Sequence, residues 1–69
     1  MTVTLTWHDV EGLARELAER FPGEDPLAVD LRRLRELVLA LPTFRDEPDI
    51  ATDETLEEIQ AAWYEASSS

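Results

Sequence analysis

The chain has 69 residues, no cysteine, and 16 acidic against 6 basic side chains, for a formal net charge of −10. That length allows one small domain, near the size at which a single core only just suffices. The missing cysteines exclude disulfides, thiolate metal centres and thiol nucleophiles, and the charge opposes nucleic acid and anionic bilayers, which both attract Lys and Arg.

The acidity is unevenly placed. Residues 1–45 carry a net charge of −2 and residues 46–69 a net charge of −8, with no base after Arg45. The opening MTVTLTWHDVEG has neither the basic nor the apolar region of a signal peptide. No apolar run approaches the roughly 20 residues of a membrane span, so a cytoplasmic protein is expected.

Thr2 to Trp7 alternate polar and apolar residues, the period of a strand or of an extended arm laying Val3, Leu5 and Trp7 on a core. Thr6 and Asp9 have capping-box spacing, and a first helix is expected from about Trp7 to Phe21. Val10, Leu13, Ala14, Leu17 and Phe21 form its buried stripe. Glu11–Arg15 and Glu16–Arg20 are i,i+4 pairs in the favourable order. Gly12 weakens this helix by about 1 kcal/mol relative to Ala, which points to close packing there.

Pro22-Gly23 ends the first helix, and Pro26 is placed to open a short helical segment. Asp30 is the expected N-cap of a second helix, Leu31 to Leu41, buried along Leu34, Leu37, Val38 and Leu41. Arg32, Arg33 and Arg35 occupy the rest of its surface as the chain's one basic cluster. Phe44 is expected to plug the following loop into the core, with Pro48 stiffening it. Thr52 should cap a third helix, Asp53 to Ala66, with Leu56, Ile59, Ala62, Trp63 and Ala66 inside. Trp7 and Trp63 are expected to pack in the core and bring the first and last helices together. Residues 1–66 therefore form one domain, and residues 67–69 a flexible tail.

Few residues carry chemistry. His8 is the only histidine and has no nucleophile or second nitrogen ligand to join it; serines occur only in the tail, which excludes a Ser–His–Asp triad. No Gly-rich phosphate loop or calcium-binding loop is present. What remains is the carboxylate run Asp46, Glu47, Asp49, Asp53, Glu54, Glu57 and Glu58. Asp53 and Glu54 suit the positive end of a helix dipole. Asp53–Glu57 and Glu54–Glu58, however, are like-charge i,i+4 pairs that cost stability. A run with no compensating base is expected to meet a basic protein patch, or to bind a hard cation weakly and with little selectivity.

The spacings Trp7-x-Asp9, Phe21-Pro22-x-x-Asp25-Pro26-x-x-Val29, Leu41-x-x-Phe44-x-Asp46-x-Pro48 and Leu56-Glu57-x-Ile59-Gln60-x-x-Trp63 resemble the IscX (YfhJ) family. This family comprises small acidic proteins of the iron–sulphur cluster assembly system, and the resemblance runs from about Leu5 to Glu65. It implies a mostly α, small three-helix domain of modified winged-helix type with a short extended N-terminal segment. It also implies docking on the cysteine desulfurase IscS near its active site, weak ferrous iron binding through surface carboxylates, and a regulatory role. Asp9, Asp25, Asp46, Asp53 and Glu57 match family acidic positions. Among these, Asp9, Asp46, Asp53 and Glu57 are the metal candidates. Where the family carries an Arg-Phe-Thr-Asp-Leu run, this chain has Asp30-Leu31-Arg32-Arg33-Leu34, so a family base becomes Asp30 and a family acid becomes Arg33.

The resulting expectation is a monomeric, non-enzymatic adaptor that needs no cofactor, with Asp46, Glu47, Asp49, Asp53, Glu54, Glu57 and Glu58 as its partner-binding acids. The rival readings are an iron donor or sensor and a winged-helix DNA-binding protein. The net charge of −10 disfavours the latter.

Overall fold

Three helices carry the chain in the computed structural model, which describes residues 4–68: α1 (Val10–Arg20), α2 (Leu31–Leu39) and α3 (Asp53–Ser68). The fold is mostly α, as expected. Thr2, Val3 and Ser69 lie outside the described residues, and with them the expected placement of Val3. α1 packs chiefly on α3, burying Leu13, Ala14 and Leu17 against Leu56, Ile59 and Trp63. Val10, Phe21 and Ala62 pack at the edge of this core. The helical spacing of apolar residues thus fixes which faces meet.

α1 begins three residues later than the Trp7 start expected from spacing. Thr6 and Asp9 form a turn ahead of the helix rather than the expected capping box. The Thr6 amide donates to Asp9 Oδ2 at 2.9 Å and the Asp9 amide to the Thr6 carbonyl at 3.0 Å. No side chain among the described residues caps α1 at its N-cap, Asp9. The Trp7 amide, however, is drawn across the molecule to Asp46 Oδ2 at 3.2 Å. Asp9, at φ −89° and ψ 59°, lies outside helical backbone and is the N-cap residue, so α1 begins at Val10. Inside α1, a Cβ added to Gly12 would stand 3.0 Å from Leu5 Cδ2, which is the close approach that this glycine permits. Glu16 and Arg20 pair at 3.1 Å. The expected Glu11–Arg15 pair does not form, as befits two exposed side chains whose attraction in water barely offsets their rotamer entropy.

The segment after Pro26 is a single turn rather than the expected short helix. The amides of Ala28 and Val29 both donate to the Asp25 carbonyl, at 3.0 and 3.2 Å. The carbonyls of Pro26 and Val29 are taken instead by Gln60 Nε2, at 2.6 and 2.8 Å. A side chain from α3 thus clamps this turn at both ends.

α2 starts where expected, with Asp30 Oδ1 accepting from the Arg33 amide at 2.8 Å. It ends at Leu39, two residues short of expectation. The Leu41 amide closes an i→i−3 bond to Val38 at 3.0 Å, and Pro42 disfavours helical backbone at the residue before it. Replacing Asp30 by Ala removes this cap and is expected to cost about 1 kcal/mol, read as a lowered urea midpoint with unchanged slope.

The extended N-terminal segment meets the 41–45 loop through one parallel bridge, Leu5 with Phe44. The Leu5 amide donates to the Thr43 carbonyl at 2.8 Å, and the Arg45 amide donates to the Leu5 carbonyl at 2.9 Å. Phe44 is buried, as expected. α3 runs on to Ser68, past the expected Ala66 end, with Ser68 Oγ donating to the Tyr64 carbonyl at 2.9 Å. No helix among the described residues is long and apolar enough to cross a membrane.

Candidate functional site: the acidic loop and the first turns of α3

Trp7 holds the start of the acidic stretch. The residue is 2 % exposed, and its ring lies edge-on to Phe44 with centroids 4.7 Å apart at 66°. Its indole N–H donates to the Glu47 carbonyl at 2.6 Å, and its backbone amide donates to Asp46 Oδ2. The expected core burial of Trp7 and Trp63 holds. Trp7, however, lies ahead of α1, and its polar contacts go to the 44–47 loop rather than to α3. Three anchors on one residue thus position the backbone from which the acids project.

Two of the acids already have amides to bind. Asp46 Oδ1 accepts from the Glu47 amide at 2.8 Å while its Oδ2 accepts from Trp7. Asp9 accepts from the neighbouring Thr6 amide. Consecutive N–H groups at the chain's N-terminal arm are therefore each capped by a carboxylate, the kind of charge-assisted bond that defines a turn.

The other acids face water. Glu47, Asp49, Asp53, Glu54, Glu57 and Glu58 are all exposed. The three ion pairs among the described residues are Glu16–Arg20, Glu24–Arg33 and Glu36–Arg33, and none involves these acids. Thr52 Oγ1 accepts from the Thr55 amide at 3.3 Å, so the cap sets the phase of α3. With Leu56 and Ile59 buried, that phase turns Asp53, Glu54, Glu57 and Glu58 onto one outer arc.

The basic cluster of α2 is partly spent. Arg33 pairs with Glu24 and Glu36, each at 3.7 Å. Arg35 is half-buried and donates through Nη2 to the Ala51 carbonyl at 3.2 Å. On α2, Arg32 is left with no ion pair among the described residues. As for metal, no three His, Cys, Asp or Glu side chains among the described residues converge to hold a cation. Asp53 and Glu57 stand one turn apart on α3, away from the engaged Asp9 and Asp46.

Two functional placements escape sequence reasoning: Trp7 as the anchor of the acidic loop, and Gln60 as the clamp on the 26–29 turn. Both contacts join residues more than thirty positions apart. The spacing Ile59-Gln60-x-x-Trp63 marks Gln60 without saying what its amide meets.

Among known proteins, the family model for iron–sulphur cluster assembly matches residues 5–68. An uncharacterized protein of Pseudomonas aeruginosa is 43 % identical over 63 residues, which is 91 % of this chain and 96 % of the relative. No solved structure matches. The match spans all three helices together with the Trp7–Asp46 contact and the acidic arc, and on it the chain belongs to the iron–sulphur cluster assembly family, that of IscX (YfhJ).

Proposed function

We propose that this protein is a non-enzymatic adaptor that docks its acidic face on a basic surface of the cysteine desulfurase and modulates cluster assembly. The observation that carries this reading is the exposed arc of Asp53, Glu54, Glu57 and Glu58, none of which is paired with a base. Family membership supplies the setting, and the family resemblance supplies the desulfurase. A one-signed face raises the rate of encounter with an oppositely charged patch and selects against wrong partners.

In this reading Asp46 and the four acids of α3 divide by task. Asp46 holds the loop, and its replacement by Ala is expected to cost about 1–2 kcal/mol of stability, read as a lowered urea midpoint. The arc supplies docking charge. The variant Asp53→Asn/Glu54→Gln/Glu57→Gln/Glu58→Gln should keep the fold, since it removes two like-charge pairs. It should bind the desulfurase about tenfold more weakly at low salt. Equal affinity of that variant and the parent chain, measured by calorimetry at low salt, would remove the arc from the interface.

Ferrous iron is a weak surface ligand in the same reading, met by Asp53 and Glu57 without a preformed shell. A ferrous titration is expected to show no saturation below about the millimolar range typical of weak oxygen sites. A saturable micromolar site would instead favour an iron donor or sensor.

A further inference from the structure

Large apolar side chains exposed among the described residues are Leu27, Leu39, Ile50 and Tyr64. Two of them border the acidic loop. Leu39, 41 % exposed, stands at the end of α2 and lines an open cleft of about 520 Å³ with Phe44, Arg45, Asp46 and Glu47. Ile50, 54 % exposed, does not line the cleft itself but is tied to its rim, its amide donating to the Glu47 carbonyl at 3.4 Å. The next residue, Ala51, is buried and tied through its carbonyl to Arg35, one helical turn before Leu39. The loop thus leaves an isoleucine in water while burying the alanine beside it. That choice gains the fold nothing in apolar burial.

We propose that Leu39, in this cleft, and Ile50, on the loop that continues from its rim, are the apolar anchors of one interaction surface. Its occupant is a basic protein segment that inserts an apolar side chain between Lys or Arg residues. The charge around the cleft selects that partner: Arg45 is the one base beside Asp46, Glu47 and Asp49. A second copy of this chain would bring its own net charge of −10 against the same acids. The inference rests on the docking reading above and divides its labour. Exposed acids act over about 10 Å and are screened by salt. Apolar anchors act on contact, resist salt, and carry a disproportionate share of interface energy.

The test uses the intact chain and purified cysteine desulfurase as the probe, with affinities of Leu39→Ser and Ile50→Ser measured by calorimetry at low and high salt. Because both side chains are exposed, thermal unfolding of each variant should match the parent. Each substitution is expected to weaken binding by about tenfold, the loss typical of an interface anchor. The slope of affinity against salt should stay that of the parent. Losses below about threefold, with the parent bound normally, would overturn the anchor assignment alone. A changed salt slope with little loss would do the same, since it would place both residues at the rim. Failure of the parent itself to bind would overturn the docking reading and the anchors with it. A shift of the variants' own oligomeric state by light scattering would reassign the cleft to contacts between copies.

Discussion

Replacing Trp7 by Ala is expected to remove about 3–5 kcal/mol of folding stability. For a domain of this size, with roughly 0.05–0.15 kcal/mol per residue in total, that loss takes much of the folded population. The cost has three parts. The cavity left beside Phe44 loses packing on both rings. The Glu47 carbonyl loses its indole donor. The bridge between Leu5 and Phe44 loses the residue that braces it. Trp7→Phe separates them, keeping most of the ring contact while removing the N–H. Its expected cost is about 1 kcal/mol, that of one net hydrogen bond, because the Glu47 carbonyl keeps the Ile50 amide. Its distinguishing signature is faster amide hydrogen exchange confined to the 44–47 loop. An Ala variant that unfolds at the same urea midpoint as the parent would show that Trp7 does not hold this loop.

The second large effect is expected at Gln60, whose one amide nitrogen serves the carbonyls of both Pro26 and Val29. Gln60→Ala strands both acceptors at about 1–3 kcal/mol each where they are shielded from water, less where water reaches them. Gln60→Glu is the sharper test. A carboxylate there has no hydrogen to offer and would face two carbonyl oxygens, so its charged form is disfavoured in the fold and its folded pKa is raised. Stability of this variant should therefore be fullest below the ordinary glutamate range and be lost as pH rises through the raised folded pKa. The comparison is with the parent chain across the same pH series. A Glu variant that tracks the parent at every pH would mean that the side chain does not clamp the turn.

These two residues show where sequence reasoning stops. α2 was legible from Asp30 and Pro42 because both act within one helical turn of the boundary they set. The outer arc of acids was legible for the same reason: once Leu56 and Ile59 are inside, the helical period puts Asp53, Glu54, Glu57 and Glu58 outside. The role of Trp7 was not, because its amide and indole meet Asp46 and Glu47, 39 and 40 residues away. The 26–29 turn failed in the same manner, through Gln60. Asp46 looked like one more docking acid in a run of acids. Only the fold shows that its oxygens are engaged by the Trp7 and Glu47 amides.

Asp30 caps α2 through the Arg33 amide, and the Arg33 side chain is in turn held by Glu24 and Glu36.

The central claim is that the unpaired acids of α3 carry the docking charge. Calorimetric titration of the cysteine desulfurase with the parent chain and with Asp53→Asn/Glu54→Gln/Glu57→Gln/Glu58→Gln, across a series of salt concentrations, tests it most directly. The parent should lose affinity steadily as salt rises, and the neutralised variant should be weaker at low salt and flatter across the series. Superimposable curves for the two proteins would contradict the claim.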